Sequence, residues 1–126
     1  MLRTLIIDDN PVFLDSLSNL LTLFPGVCVV GVADSGKQGL RLAAELMPDL
    51  VLVDLNMPGM GGLAVAEGLH RLDAKIRVII VSLHDGDEYR KHARAIGIER
   101  FVCKNDLFIE LPSIISSTPL LPTSGA

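Results

Sequence analysis

The sequence has 126 residues, which is enough for one domain with a hydrophobic core and too few for two domains of ordinary size. Its composition, 49% hydrophobic and 21% charged, is typical of a folded globular domain and excludes the disordered class. The formal net charge of −4 argues against a nucleic-acid-binding surface, because phosphate contacts need clustered Lys and Arg.

Five short apolar runs predict buried strands, and segments of helical period lie between them. The third run is uninterrupted and partly β-branched, which is typical of a strand buried on both faces. The alternation of strand and helix predicts an α/β fold, a doubly wound parallel sheet with helices on both faces and right-handed crossovers. The runs are Leu5–Ile7, Val27–Val32, Leu50–Val53, Val78–Val81 and Phe101–Cys103.

The first helix is predicted to begin after Asn10, which can cap it, with Pro11 in its first turn. Its apolar stripe follows helical spacing and ends before a Pro-Gly pair. Two leucines, Leu14 and Leu23, lie off this stripe, and we expect both to be exposed. The stripe consists of Phe13, Leu17, Leu20, Leu21 and Phe24.

Three further helices are predicted from their caps and apolar spacing. The second follows Ser35 and ends before Pro48, and the third spans about Gly62–Leu72. The fourth spans about Asp85–Ile96, where Gly97 ends it. Each of these helices follows one predicted strand, as the alternating pattern requires.

A fifth helix is expected over Leu107–Ile115, but Pro112 is incompatible with a regular helix interior. We therefore expect this helix to start only near Pro112 or to be kinked there. The sequence after it is rich in Ser, Thr and Pro. It predicts that residues 1–116 form the domain and residues 117–126 a flexible tail or the start of a linker.

The two cysteines, Cys28 and Cys103, match no zinc or redox spacing. No apolar run has the length of a signal peptide or of a membrane span. With no sign of export, we expect reduced thiols in a cytoplasmic protein that has no membrane partner.

Polar side chains follow four of the five predicted strands. Asp8 and Asp9 come after the first strand, and Asp54 comes after the third. Ser82 follows the fourth strand and Lys104 the fifth. The carboxyl ends of parallel strands share one edge of the sheet, where ligands bind in open α/β folds. Taken singly, each of these residues could be a helix cap or a solvated loop charge.

Together, three carboxylates at one edge repel one another, by about 4 kcal/mol per pair at ~4 Å and an effective dielectric constant of about 20. A divalent cation would offset this repulsion, and oxygen-only ligands favour magnesium over zinc. The Lys104 ammonium and the Ser82 hydroxyl suit the oxygens of a phosphoryl group. Because an aspartate can act as the nucleophile that forms an acyl phosphate, the pattern predicts a phosphoryl-accepting aspartate.

Four ordered motifs carry a resemblance to a known family, namely IIDDNP, GKQGLRLAAELMPDLVLVDLNMPGMGG, VIIVSLHDGDEYRKHARAIG and RFVCK. Over about residues 3–111 the sequence resembles the receiver domain of two-component response regulators, in particular the receivers of LuxR-type (FixJ/NarL-like) regulators. The resemblance implies a flavodoxin-like, five-stranded sheet in the order 2-1-3-4-5. One departure is Gly61, which stands where the family often has an aspartate.

By position, the resemblance implies that Asp54 is the phosphoacceptor. Asp8 and Asp9 correspond to the family's acidic metal-binding pair. Together with Asp54 and the backbone carbonyl of Asn56, they are expected to bind Mg²⁺ or Mn²⁺.

The resemblance also implies residues that respond to the phosphoryl group. Ser82 stands at the position of the family's switch hydroxyl and Lys104 at that of its invariant lysine, and both are expected to contact the phosphoryl oxygens. Phe101 matches the aromatic residue whose ring turns inward when that hydroxyl moves. We add the hypothesis that His84 tunes the lifetime of the phosphoryl group; the alternative is an ordinary loop histidine.

The expected function is a phosphorylation-activated signalling switch that assists its own phosphorylation and dephosphorylation but is not an enzyme. The expected donor is a histidine kinase or phosphotransfer protein. The face around the fourth helix, fifth strand and fifth helix is expected to change its partner, with a homodimer on phosphorylation as one outcome. The LuxR-type resemblance implies transcription regulation by a parent protein, without direct nucleic-acid binding by this chain.

Three alternatives stay open. A receiver-like module could act by interaction alone, without phosphorylation. A haloacid-dehalogenase-like phosphatase also uses an aspartyl nucleophile, but it prefers a second aspartate where this sequence has Asn56, and the chain leaves no room for a substrate cap. A flavodoxin-like cofactor binder would need a Ser/Thr/Gly phosphate loop and aromatic residues around a flavin, whereas the sequence offers DDNP and 4% aromatic residues.

Overall fold

The computed structural model describes residues 1–83, 87–98 and 100–121. Within these ranges five strands and five helices alternate, which confirms the predicted order. The elements are β1 (Leu2–Ile7), α1 (Pro11–Leu21), β2 (Val27–Ala33), α2 (Gly36–Leu46), β3 (Leu50–Asp54), α3 (Gly62–Leu72), β4 (Arg77–Ser82), α4 (Asp87–Ala95), β5 (Arg100–Cys103) and α5 (Lys104–Ser117).

The five strands form one parallel sheet in the order β2-β1-β3-β4-β5, so the predicted fold class and strand order are confirmed. All five residues of the central strand β3 are buried, as its continuous apolar run indicated. The strands end nearly level, because Ile7 pairs with Val53, and Asp54 pairs with Val81. This register brings the residues that follow β1, β3, β4 and β5 to one edge of the sheet.

Side chains of each strand alternate between two hydrophobic layers. One layer lies between the sheet and helices α2 and α3, and it includes Val51 and Val53 of β3. The other lies between the sheet and helices α1 and α5, and it includes Leu50 and Leu52. Helices therefore cover both faces of the sheet.

Helix α1 begins as predicted, because the Asn10 side chain accepts hydrogen bonds from the backbone N–H groups of the first turn. Its buried face is rotated relative to the predicted stripe. Leu14 is buried, so its predicted exposure was wrong, whereas Leu23 is 76% exposed, as expected. Phe13 is only half-buried, since its ring lies over the side chain of Lys104 instead of the centre of the core.

The predicted late start of the fifth helix near Pro112 was wrong, and the alternative of a kink at Pro112 stays a prediction. Helix α5 runs without interruption for 14 residues and begins directly after β5. Pro112 lacks the N–H that would bond to the carbonyl of Phe108, but Phe108 is 67% exposed, so water can satisfy that carbonyl. Packing of Leu107, Leu111 and Ile114 against the sheet offsets the local cost of the proline.

Residues 117–121 lie against the opposite edge of the sheet, where the strands begin. The Arg77 guanidinium donates hydrogen bonds to Ser117 Oγ at 2.5 Å and to Thr118 Oγ1 at 3.0 Å. The backbone N–H of Leu121 donates to Asp49 Oδ1 at 2.5 Å. The domain boundary after residue 116 stays a prediction, but the first residues beyond it contact the domain.

Two further predictions concern the ends of the fourth helix. Its predicted start at Asp85 lies outside the described residues. At its other end Gly97 has a positive φ of 89°, which suits the glycine that follows a helix.

Within the described ranges, no helix combines the length and the apolar character that a bilayer crossing requires.

Candidate functional site

Three carboxylates meet at the edge where the strands end. Asp8 follows β1 directly, Asp9 comes next, and Asp54 is the last residue of β3. One carboxylate oxygen of each lies within 4.8 Å of the others. Asp8 is 1% and Asp54 6% exposed, whereas Asp9 is exposed. The predicted acidic cluster is therefore two buried carboxylates with an exposed one at the entrance.

Lys104 supplies the positive charge of the cluster. It is the first residue of α5, so the end of β5 carries it into the site. Its Nζ lies 2.8 Å from Asp8 Oδ2 and 3.8 Å from Asp54 Oδ1, and its side chain is only 9% exposed. The ring of Phe13 covers another side of the ammonium, with 4.2 Å between Nζ and the ring centroid. One cation thus faces two buried anions.

Burial and the surrounding charges shift the pKa of the Asp54 carboxyl group. Burial, and then the charge of Asp8, raise the pKa of Asp54 from its ordinary 3.8 to about 6. The Lys104 ammonium and the hydrogen bond donated by the backbone N–H of Asn56 oppose this rise, and they do not outweigh it. The ionised carboxylate at this position is therefore short of positive partners.

Asp8 has an oxygen that could take a cation. Its Oδ1 accepts a hydrogen bond from the backbone N–H of Asn10 at 2.8 Å. Its Oδ2 is buried and lies 2.8 Å from Lys104 Nζ, the distance of a charge-assisted hydrogen bond, which leaves this oxygen a second lone pair. Together with the carboxylates of Asp9 and Asp54 it forms an all-oxygen donor set, which fits Mg²⁺ or Mn²⁺.

The loop after β3 approaches the site closely. A Cβ on Gly62 would lie 2.4 Å from the backbone oxygen of Asp54, so a glycine is required there. The sequence predicted Gly62 as the start of the third helix; this close approach to the end of β3 was not predicted. Asn56 lies in the same loop and is exposed, and its N–H bonds to Asp54 at 3.4 Å. The metal-binding role of its carbonyl stays a prediction.

The three residues expected to respond to the phosphoryl group have different settings. Ser82 is 1% exposed and ends β4, so it lies at the same edge as Asp54, next to it in strand order. Phe101 is 9% exposed and packs in the layer on the α2 and α3 side. The guanidinium carbon of Arg90 on α4 lies 4.9 Å from the centroid of the Phe101 ring. The predicted turning of the Phe101 ring stays a prediction. His84 lies outside the described residues.

Comparison with known proteins agrees with this geometry. The family model of the response regulator receiver domain matches residues 4–115. The chain is 37% identical over 101 residues to the nitrate/nitrite response regulator protein NarL of Escherichia coli (strain K12), covering 80% of this chain and 47% of that protein. It is 34% identical over 115 residues to the response regulator GacA of Pseudomonas viridiflava, covering 91% and 54%. The chain therefore spans about half the length of the curated relatives it matches.

A solved structure shares the arrangement of strands and helices. The two-component response regulator of the LuxR family from Aurantimonas sp. SI85-9A1 superposes with a TM-score of 0.85 at 30% identity. The match covers 91% of this chain and 82% of that one.

Proposed function

The chain belongs to the family of response regulator receiver domains, and we propose that it is a phosphorylation-activated switch in which Asp54 accepts a phosphoryl group from a histidine kinase or phosphotransfer protein. Receiver domains are generally non-enzymatic signalling domains, and relatives of this chain are response regulators that control transcription. The observation that carries the proposal is the buried Asp54 carboxylate, which lies beside Asp8 and Lys104 and lacks enough positive partners.

The proposed reaction is an in-line transfer. An Asp54 carboxylate oxygen attacks the phosphorus of the donor, and the bond from phosphorus to the donor histidine nitrogen breaks, with its electron pair leaving on that nitrogen. Lys104 and Ser82 bind the phosphoryl oxygens, and the low exposure of both side chains strengthens these contacts. When bound by Asp8, Asp9, Asp54 and the carbonyl of Asn56, Mg²⁺ or Mn²⁺ supplies the charge that draws the phosphoryl oxygens into place.

In this proposal, phosphorylation of Asp54 affects the rest of the domain through the neighbouring elements β4, β5 and α4. A phosphoryl group on Asp54 adds negative charge beside Ser82, at the end of β4. Ser82 faces Cys103 across β4 and β5, and Phe101 lies on the same strand β5 with its ring against Arg90 of α4. The new charge therefore biases the packing of α4, β5 and α5, which is a shift between two populations. We propose that this face binds the output partner or a second receiver, and that the parent protein regulates transcription.

The proposal is tested by intact-mass measurement. The chain is incubated with acetyl phosphate, with and without Mg²⁺, as wild type and as Asp54→Ala. We expect a gain of one phosphoryl mass in the wild type that depends on Mg²⁺ and is absent from the variant. The matched control is Asp49→Asn, which changes the aspartate at the other end of β3 and should still gain the phosphoryl group. If the folded wild type gains no mass under any condition, a phosphorylation-independent interaction module becomes the better explanation.

A further inference from the structure

The ammonium of Lys104 is enclosed on three sides. Asp8 Oδ2 lies 2.8 Å from Nζ, Asp54 Oδ1 lies 3.8 Å away, and the centroid of the Phe13 ring lies 4.2 Å away. The face of an aromatic ring attracts a cation, and this attraction is stronger where water is excluded. Because the Lys104 side chain is 9% exposed, the ring stands where water would otherwise solvate the ammonium.

Phe13 is fixed by the same short segment that fixes Asp8. The backbone N–H of Asn10 donates to Asp8 Oδ1 at 2.8 Å, and the Asn10 side chain accepts from the N–H of Phe13 at 3.3 Å. Asn10, which caps α1, is therefore hydrogen-bonded to both Asp8 and Phe13, two of the three neighbours of Lys104. The half-buried ring also packs against the hydrophobic layer on the α1 and α5 side, so a test of its role needs a control for packing.

We propose that Phe13 is a positioning residue for the phosphoryl transfer proposed above: its ring holds the Lys104 ammonium between Asp8 and Asp54, where the phosphoryl oxygens will lie. The inference rests on the proposed function and adds to it a residue outside the polar cluster. Phe13 does not touch the reacting atoms, and it acts through Lys104.

The groove beside Phe13 indicates what the loss of the aromatic ring would do to Lys104. Phe13 separates the site from a shallow apolar groove of about 170 Å³ between α1 and α5, where Leu17, Leu107 and Phe108 form part of the lining. Lys104 also lines this groove. If Phe13 is replaced by a smaller side chain, the flexible Lys104 side chain gains room on the groove side, and water can reach its ammonium. The phosphoryl group then loses a preorganised positive partner, which slows the transfer.

The test compares two substitutions at one position. Phe13→Leu keeps an apolar side chain but removes the aromatic face, whereas Phe13→Tyr keeps the face. Phe24→Leu removes a half-buried aromatic residue that follows α1 and is the matched control for a general effect on packing. Each variant is incubated with acetyl phosphate and Mg²⁺, and the rate of mass gain is measured over a range of acetyl phosphate concentrations.

We expect Phe13→Leu to lower the maximal rate about three- to tenfold, the range that a cation–π contact of this kind implies. Phe13→Tyr and Phe24→Leu should keep a rate close to that of the wild type, and the acetyl phosphate concentration at half-maximal rate should change little. In the metal-free protein, the NMR signals of the Lys104 ε-methylene group should show the shift caused by an overlying ring. That shift should disappear in Phe13→Leu and persist in Phe13→Tyr.

The possible failures are distinguishable. An unphosphorylated wild type would overturn the proposed function and this role with it. A phosphorylated wild type with an equally fast Phe13→Leu would overturn the role of Phe13 alone. Equal slowing in Phe13→Leu and Phe13→Tyr would also overturn it, because packing and not the aromatic face would then explain the loss.

Discussion

The central strand β3 has a buried aspartate at each end, and the two differ in what surrounds them. Asp49, just before the strand, is 4% exposed; Oδ2 accepts from the N–H of Arg3 at 2.8 Å and Oδ1 from that of Leu121 at 2.5 Å. Asp54, at the other end, is 6% exposed and lies beside a second buried carboxylate. From the described part of the chain, its carboxylate has one hydrogen bond of 3.4 Å, donated by the Asn56 N–H, and an ionic contact of 3.8 Å with Lys104 Nζ. Burial alone therefore does not distinguish the two carboxylates. They differ in their partners: backbone N–H groups satisfy both oxygens of Asp49, whereas Asp54 lies beside the charges of Asp8 and Lys104.

The largest expected effect comes from replacing Asp49, whose two carboxylate oxygens both accept hydrogen bonds. In Asp49→Ala, two backbone N–H groups from distant parts of the chain lose their acceptor, so we expect the free energy of unfolding to fall by about 2–4 kcal/mol. Urea denaturation measures this change. Asp54→Ala is the matched control, and it should cost less than Asp49→Ala because it also removes repulsion with Asp8. An equal loss in the two variants would contradict the contrast between the two ends of β3.

The next effect is a pH dependence of the free energy of unfolding that comes from Asp54. The pKa of Asp54 is 3.8 in the unfolded chain and about 6 in the folded protein, so the folded state holds its proton longer as the pH rises. The metal-free wild type should therefore lose stability between about pH 4 and pH 6 relative to Asp54→Asn, by about 2–3 kcal/mol in total. The measurement is the free energy of unfolding of both proteins against pH in a chelator. A difference that is constant with pH would contradict the raised pKa.

A smaller effect comes from the cation itself. Mg²⁺ should stabilise the wild type above about pH 6, by about 1.4 kcal/mol when its concentration is ten times the dissociation constant. The thermal midpoint with and without Mg²⁺ measures this gain. Asp8→Ala should lose the gain, and Asp49→Asn should keep it. If Asp8→Ala were stabilised as strongly as the wild type, the acidic cluster would not be the binding site.

Much of the fold could be predicted from the sequence, because its signals are local. The apolar run of β3, the cap at Asn10 and the glycine after α4 each specify an element through a few neighbouring residues. The uninterrupted α5 could not be predicted, since the local penalty of Pro112 is outweighed by contacts of Leu111 and Ile114 with strands far away in sequence. The buried position of Leu14 was missed for a similar reason, because it results from packing in the layer that α1 shares with residues distant in sequence, such as Leu111.

The candidate site likewise includes some residues that could be predicted from the sequence and others that could not. Its polar residues were predictable, because each follows an apolar run at a strand end and parallel strands bring these ends together. Phe13 had no such signal: its spacing fits a core position, and its contact with Lys104 appears only once α1 and the start of α5 are adjacent. Asp49 was passed over as well, since the sequence does not show that two distant backbone N–H groups converge on it.

The most direct test of the central claim uses beryllofluoride, a mimic of the phosphoryl group, and the backbone NMR spectrum. Wild type, Asp54→Ala and Asp49→Asn are each titrated with beryllofluoride in the presence of Mg²⁺. We expect shifts in the wild type and in Asp49→Asn at the strand-end edge and along α4, β5 and α5, with none in Asp54→Ala. The same shifts in Asp54→Ala, or none in the wild type, would show that Asp54 is not the residue on which the switch depends.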